Sequence, residues 1–126
     1  MSAGKRVLIV EHNEVSQDVL ARRLASKGFE VLVASDGQDG LSMANEALPD
    51  LILMELAMPM LDGWVCARRL KASPTTKQIP IIAMATPAKA ADRNRALKSG
   101  FDEFETKPVD FEALLVKVDR LLEVAA

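Results

Sequence analysis

Acidic and basic residues that suit phosphate or metal chemistry follow the apolar runs of this sequence. Glu11 and His12 come directly after the run VLIV. Glu55 follows the run LILM, and Lys107 stands before a proline near the end of the chain. Carboxylate oxygens are the ligands that Mg²⁺ prefers, and a lysine ammonium is a common partner of phosphate oxygens. These four residues are the first candidates for a functional site, if the fold brings them together.

The apolar runs alternate with segments of helical period, which predicts strands and helices in turn. The first, third and fourth runs are almost continuously apolar, as expected for central parallel strands covered on both faces. The predicted strands are Arg6–Val10, Glu30–Ala34, Leu51–Met54, Ile81–Met84 and, more weakly marked, Glu103–Glu105.

Cap residues and apolar spacing mark the helices between these strands. Asn13 is the expected N-cap of the first helix, Gly28 its expected end, and Asp110 the expected cap of the last helix. The predicted apolar face of the first helix is Val15, Val19, Leu20 and Leu24, and that of the last is Phe111, Leu114, Leu115, Val118, Leu121 and Leu122. The other helices are predicted at about Asp36–Ala47, Gly63–Lys71 and Ala88–Ser99.

Five strand–helix repeats predict an α/β fold, a (βα)5 doubly wound parallel sheet with right-handed crossovers. In open sheets of this kind, sites form at the carboxyl ends of the strands, where the strand order reverses. This rule selects Glu11, His12, Glu55, Ala85, Thr86 and Lys107.

Composition limits the classes of protein to consider. A chain of 126 residues with 49% hydrophobic and 27% charged residues is typical of one globular domain. The net charge of −2 argues against attraction to nucleic acid or to a membrane surface, and the single cysteine, Cys66, allows no internal disulfide. With neither a signal pattern nor an apolar run of about 20 residues, we expect a cytoplasmic protein whose residues 1–126 form one domain without an output domain.

Four segments resemble the receiver domains of response regulators, the CheY-like domains of two-component signalling. They are VLIVEHNE, LPDLILMELAMPMLDG, IPIIAMATPA and DEFETKPVD, and together they span nearly the whole chain. The resemblance implies a flavodoxin-like sheet with the strand order 2-1-3-4-5. It also implies a stand-alone phosphorelay domain, not an enzyme, that is a monomer or weak dimer.

The resemblance assigns family roles to the acidic residues of the site. Glu55 stands where receivers have the aspartate that accepts a phosphoryl group. Glu11 and His12 correspond to the two consecutive acidic residues that follow the first strand. Glu11 and Glu55 are therefore the metal ligands that the resemblance implies, for Mg²⁺ that binds weakly at best; we expect no cofactor.

The other family positions fall on later residues. The Thr or Ser at the end of the fourth strand corresponds to Ala85, with a hydroxyl displaced to Thr86. The lysine is retained as Lys107, and the aromatic switch residue corresponds to Phe104. We expect Phe104 to be a packing residue, because residue 85 has no hydroxyl to drive a rotamer switch.

Three departures from the family pattern affect the same reaction. His12 offers imidazole, a poor partner for hard Mg²⁺. Glu55 displaces its carboxylate by about 1.5 Å, one C–C bond, where about 1 Å of misplacement can cost about 10²-fold in rate. Ala85 lacks the hydroxyl that would bond the phosphoryl group. We therefore predict a pseudo-receiver, a binding domain without the aspartyl-phosphate cycle.

The residues leave several alternatives open. The pair of Glu55 and Lys107 could hold the domain in an activated-like state. Alternatively, it could hold a fixed state that resembles neither the active nor the inactive state of receivers. We expect His12 to bond to Glu55 or Glu11; the alternative is a weak Mn²⁺ or Zn²⁺ site of these three residues. A competing function is Mg²⁺-dependent phosphorylation of Glu55 or another carboxylate, of which Asp62 is nearest in sequence. A flavodoxin-like ligand binder is disfavoured because no phosphate-binding loop follows the first strand.

The expected partners are a sensor histidine kinase, a phosphotransfer protein or another regulator, and neither nucleic acid nor a membrane. The resemblance implies docking on the face of the fourth helix, fifth strand and fifth helix. Trp64 is expected to pack, with a partner contact as the alternative. The charges predicted to lie together on the docking face are Lys89, Arg93 and Arg95, beside Asp102, Glu103 and Glu105.

Overall fold

The computed structural model describes residues 4–86 and 90–125 and shows strands and helices in alternation. The strands are β1 (Arg6–Val10), β2 (Glu30–Ala34), β3 (Leu51–Glu55), β4 (Ile81–Ala85) and β5 (Glu103–Thr106). The helices are α1 (Glu14–Ser26), α2 (Gly37–Ala47), α3 (Gly63–Ala72), α4 (Ala90–Lys98) and α5 (Phe111–Ala125). The described helices contain no segment long and apolar enough to cross a membrane.

All five strands are parallel and lie in the order β2-β1-β3-β4-β5, so the predicted fold class and strand order are confirmed. The register pairs Val10 of β1 with Met54 of β3, and Ala85 of β4 with Thr106 of β5. The carboxyl ends of the strands therefore meet along one edge, on which the candidate residues lie.

Alternate residues of the central strands enter two separate cores, because successive side chains of a strand point to opposite faces. On one face, Ile52 and Met54 pack with buried residues of α2, α3 and α4, including Leu70. On the other, Leu51 and Leu53 pack with buried residues of α1 and α5. The third strand is buried along its whole length, which fixes the position of its last residue, Glu55.

Capping side chains begin the helices as predicted. The Oδ1 atom of Asn13 accepts a hydrogen bond from the backbone N–H of Ser16 at 2.9 Å, which starts α1 directly after the charged pair that follows β1. Asp36, Asp62 and Asp110 cap α2, α3 and α5 in the same way. Gly28 follows α1 with a φ of 96°, a conformation that favours glycine.

The predicted apolar face of α1 is wrong in part. Leu20 and Leu24 are buried against the sheet, but Val15 and Val19 are 72% and 49% exposed. Each residue turns an α-helix by about 100°, so the Val15–Val19 stripe lies beside the Leu20–Leu24 stripe rather than on it. Only the leucine stripe faces the strands.

Element boundaries differ from prediction by one or two residues. The strands β3, β4 and β5 each extend one residue further, to Glu55, Ala85 and Thr106. Gly63 starts α3 close to β3, where a Cβ would lie 2.4 Å from the carbonyl oxygen of Glu55. The start predicted for α4, at Ala88, lies outside the described residues.

Candidate functional site

The ends of β1, β3 and β5 bring three of the predicted charged side chains into one cluster. The Nζ atom of Lys107 donates to Oε2 of Glu55 at 2.7 Å and also to Oε1 of Glu11. The backbone N–H of Lys107 donates to the carbonyl of Ala85 at 2.6 Å, which holds the residue after β5 beside the end of β4. The long lysine side chain then reaches across to the end of β1.

His12 completes this cluster, which we call the rim cluster: Glu11, His12, Glu55 and Lys107. Its Nδ1 atom bonds to Oε1 of Glu55 and lies 3.5 Å from Oε2 of Glu11. Its backbone N–H donates to the same Glu55 oxygen at 3.3 Å. The expected hydrogen bond between the histidine and a carboxylate is present in the structure.

Every carboxylate oxygen of the rim cluster faces a donor. Glu11 bonds to Lys107 through Oε1 and accepts the backbone N–H of Asn13 at 3.0 Å through Oε2. Glu55 bonds to His12 through Oε1 and to Lys107 through Oε2. Glu11 is 0% and Glu55 5% exposed, and buried charges of this kind are tolerated only when they are paired and hydrogen-bonded.

Burial and pairing move the pKa values of the cluster in opposite directions. Burial raises the pKa of Glu11, and the bonds from Lys107 and Asn13 offset this only in part. Burial also acts to raise the pKa of Glu55, but bonds with Lys107, Glu11 and His12 outweigh it and hold that pKa below its ordinary value. Burial acts to lower the pKa of Lys107, yet its bonds to both glutamates raise it. Glu55 is thus a carboxylate and Lys107 an ammonium at neutral pH.

The rim cluster is a poor fit for Mg²⁺. Glu11, His12 and Glu55 each offer one atom within 4.8 Å of the others, but Mg²⁺ requires near-octahedral oxygen ligation. The imidazole is the wrong donor type, and its Nδ1 must carry a hydrogen to bond to the Glu55 carboxylate. A divalent cation would also have to displace the Lys107 ammonium, which already engages both carboxylates.

The end of β4 forms the other side of the site and is not part of the rim cluster. Ala85 is partly buried, and Thr86 is exposed and lines an open cleft of about 430 Å³. Asp62 lies in the same cleft, where its Oδ1 accepts the backbone N–H of Val65 at 2.9 Å. This cap holds Asp62 at the start of α3 and away from the rim cluster. The cleft is lined by Leu56, Ala57, Asp62, Trp64, Ala85, Thr86, Asp92 and Arg95.

Aromatic side chains lie beside this cleft. Trp64 is partly buried and packs edge-on against Phe101, with ring centroids 5.8 Å apart. The Arg95 guanidinium lies over the Trp64 ring, 4.2 Å from its centroid. Phe104 is 4% exposed and belongs to a core cluster. Both Trp64 and Phe104 are packed in this structure.

The acidic residues in and beside β5 pair with basic residues of α3 and α5. Asp102 pairs with Lys71 of α3 at 3.1 Å. Glu103 lies 3.7 Å from Arg120 and Glu105 2.7 Å from Lys117, both on α5. These pairs form because α3 and α5 flank β5, and their long lysine and arginine side chains reach its carboxylates. Lys89, predicted on the basic face of α4, lies outside the described residues.

Sequence reasoning missed two features near the rim cluster. The Gln17 side chain donates to the backbone carbonyl of Glu11 and to Oγ of Ser35, at 3.1 Å, and so ties α1 to the ends of β1 and β2. No motif marks this glutamine. The exposed valines of α1 line a groove of about 270 Å³; its lining is Val15, Ser16, Val19, Leu20, Arg23, Lys107, Pro108, Val109 and Phe111.

Comparison with known sequences gives a consistent assignment. The sequence matches the family described as the response regulator receiver domain over residues 7–119. It is 38% identical over 116 residues to Response regulator PleD of Caulobacter vibrioides, covering 92% of this chain but only 26% of PleD. It is 34% identical over 117 residues to Protein PilH of Pseudomonas aeruginosa, covering 93% of this chain and 97% of PilH. The chain thus spans about a quarter of the length of PleD and nearly all of PilH.

Solved structures of receivers share the fold. The receiver domain of a Pseudomonas aeruginosa sensor histidine kinase, solved with a magnesium ion coordinated in its active-site cleft, matches with a TM-score of 0.88 at 32% identity, over 96% of this chain and 99% of that one. A chain from the co-crystal structure of the Saccharomyces cerevisiae phosphotransfer protein Ypd1 with the receiver domain of Ssk1 matches with a TM-score of 0.85 at 28% identity, over 93% and 88%.

Proposed function

Because the chain belongs to the response regulator receiver domain family of two-component signalling, we propose that it is a receiver-like adaptor. It is not phosphorylated at the family's usual position, and it works by protein–protein contact. The observation that carries this proposal is the closed rim cluster, in which Lys107 already bonds to both Glu11 and Glu55, and His12 bonds to Glu55.

The rim cluster opposes phosphorylation of Glu55 in two ways. Attack by a Glu55 oxygen on phosphorus would compete with its bonds to His12 and Lys107. Those bonds hold the carboxylate in its charged form and draw electron density from its oxygens, which makes it a weaker nucleophile. The cation that would otherwise neutralise the phosphoryl oxygens, Lys107, is likewise committed to the two glutamates.

The end of β4 supports a single fixed state over a switch. Ala85 has no hydroxyl to follow a phosphoryl group, and Phe104 is already buried in the core. We therefore propose that the domain holds one state, resembling neither end of the family's switch. Binding is then controlled by the concentration and modification of the partners, and not by a change of state in this domain.

The partners that we propose are histidine kinases, phosphotransfer proteins and other regulators of two-component pathways. The face of α4, β5 and α5 remains the proposed docking surface. The acidic residues Glu103 and Glu105 of β5 pair with basic residues of α5, which leaves the exposed Val116 of α5 and the exposed Arg93 of α4 for a partner. The groove of about 270 Å³ beside α1 offers a second apolar surface next to Lys107.

Titration with Mg²⁺ and then beryllofluoride, an acyl-phosphate mimic, tests this proposal, with Trp64 fluorescence as the reporter. Trp64 lines the cleft that contains Ala85 and Thr86, so occupation of a receiver-type site would change its environment. We expect no saturable response from the natural chain. A triple variant with His12→Asp, Glu55→Asp and Ala85→Thr restores the family pattern and is the matched control that should respond.

The opposite result would favour the alternative function. A saturable response of the natural chain at millimolar Mg²⁺ or below, followed by beryllofluoride binding, would mean that Glu55 works as a Mg²⁺-dependent phosphoacceptor. The adaptor proposal would then be wrong. A silent triple variant would itself be checked by circular dichroism, and by calorimetric titration of Mg²⁺, which needs no fluorescent reporter.

A further inference from the structure

His12 is the one member of the rim cluster that reaches solvent. Its side chain is 49% exposed, whereas those of Glu11, Glu55 and Lys107 are 0%, 7% and 14% exposed. Within residues 4–86 and 90–125, the polar contacts of its ring are made by Nδ1, to Glu55 and Glu11. The outer nitrogen, Nε2, has no hydrogen-bond partner in that part of the chain.

The Glu55 carboxylate determines which ring nitrogen is free to react. Its Oε2 atom pairs with the Lys107 ammonium at 2.7 Å, as an ionised carboxylate does, and an ionised carboxylate can only accept a hydrogen bond. Nδ1 must therefore carry the hydrogen, and the neutral ring then has its lone pair on Nε2. An imidazole oriented through one nitrogen by a carboxylate is a recurring arrangement for a nucleophile or base acting through the other.

We propose that Nε2 of His12 is a phosphoryl acceptor, taking the group from a phosphohistidine of a partner protein. The inference rests on the proposed function for its donor, because histidine kinases and phosphotransfer proteins are the partners proposed above. It places a transferable phosphoryl group on an imidazole at the edge where receivers use a carboxylate.

The transfer balances without any further reactant. The Nε2 lone pair attacks phosphorus, a new P–N bond forms, and the P–N bond of the donor breaks with its electron pair returning to the donor nitrogen. The donor leaves as a neutral imidazole, and the His12 ring takes on the positive charge that the donor ring loses. The Nδ1 hydrogen stays in its bond to Glu55, so no proton changes place.

The surroundings of His12 suit both the positively charged ring of the product and the incoming anionic phosphoryl group. The Glu55 and Glu11 carboxylates lie next to Nδ1 and stabilise the positive ring of the product. The α1 helix begins at Glu14, two residues after His12, and the N-terminus of a helix favours an anion. Glu55 is a positioning residue here, since it acts through the imidazole.

Phosphoramidate, a small N–P donor, tests the proposal on the intact chain, with mass spectrometry counting phosphoryl groups. We expect one group per chain, stable to base but lost in acid, as is typical of phosphohistidine. His12 is the only histidine, so His12→Gln should abolish this label. Glu55→Gln should slow labelling about tenfold or more, because loss of an orienting carboxylate typically costs about 10–100-fold. Circular dichroism confirms that each variant is folded.

The other outcomes separate this inference from the proposed function. A chain that takes no label, or that labels equally fast when unfolded in denaturant, overturns the inference and leaves the adaptor function intact. So does a base-stable label that persists in His12→Gln. A label that persists in His12→Gln and is lost both in base and in hydroxylamine would lie on a carboxylate, and it would overturn both proposals.

Discussion

The two sides of the site differ in how their residues are held. On the side of β1, β3 and β5, the rim cluster is buried or half-buried and every carboxylate oxygen has a donor. On the side of β4, Ala85 and Thr86 face an open cleft of about 430 Å³. A buried charge is costly unless it is compensated, so a change in one charged residue constrains the others. A neutral side chain beside an open cleft, such as that of Ala85, carries no such constraint.

Removing the shared cation should have the largest effect. Lys107→Met leaves two buried glutamates without their ammonium partner, and breaking a buried pair in this way typically costs about 3–5 kcal/mol. We expect the free energy of unfolding to fall by about that amount in urea titrations followed by circular dichroism.

An exposed ion pair provides the control for this comparison. Arg22→Met removes the pair with Asp18, which lies on the surface of α1 with side chains 79% and 60% exposed, and it should cost less than about 1 kcal/mol. If Lys107→Met proves no more destabilising than Arg22→Met, the rim cluster does not stabilise the fold.

The second largest effect is expected at Glu55, whose contribution to the free energy of unfolding should depend on pH. Its pKa is lowered in the folded state, so its stabilising contribution is present above the ordinary value of 4.5 and is lost as the pH falls through the folded pKa. Glu11, with its raised pKa, acts with the opposite sign. We expect Glu55→Gln to lose stability at about pH 7 and to show a shallower decline than the natural chain towards about pH 3.

Thermal unfolding at a series of pH values measures this difference, and Asp18→Asn, on the exposed pair of α1, is the control that should keep the natural slope. An acid decline equally steep in Glu55→Gln and in the natural chain would mean that Glu55 does not titrate with a lowered pKa.

On the β4 side, the stack of Arg95 on Trp64 should make a smaller contribution. Cation–π contacts at exposed sites are worth about 0.5–1 kcal/mol, so Arg95→Ala should lower the free energy of unfolding by no more than that. It should also shift Trp64 emission to longer wavelength, because the ring gains contact with water. Arg93→Ala, an exposed neighbour on α4, should leave the emission unchanged; an equal shift in both variants would show that the stack is not responsible.

The smallest effect is expected at the end of β4 itself. Ala85→Thr adds the family's hydroxyl beside an open cleft, and we expect it to change the free energy of unfolding by within about 0.5 kcal/mol. We also expect it to gain no Mg²⁺ response, because the rim cluster remains closed. A clear gain of Mg²⁺ affinity from this single change, measured by calorimetric titration, would place the functional defect at β4 and not in the rim cluster.

Local signals were sufficient for much of the fold. The apolar runs located all five strands, and the caps Asn13 and Asp110 marked helix starts, because both depend on neighbouring residues. The candidate site was also identified, since the carboxyl ends of parallel strands share one edge.

The sequence by itself determined the fold, the edge that carries the site and the residue types available there. Only the tertiary structure decided which of those residues meet: that His12 and Lys107 together engage both glutamates, that Val15 and Val19 stay exposed, and that the acidic residues of β5 pair with α3 and α5. Side-chain partners on different elements depend on the reach of long side chains and on the rotation of each helix. Those quantities are set by packing across the whole domain, and no local pattern encodes them.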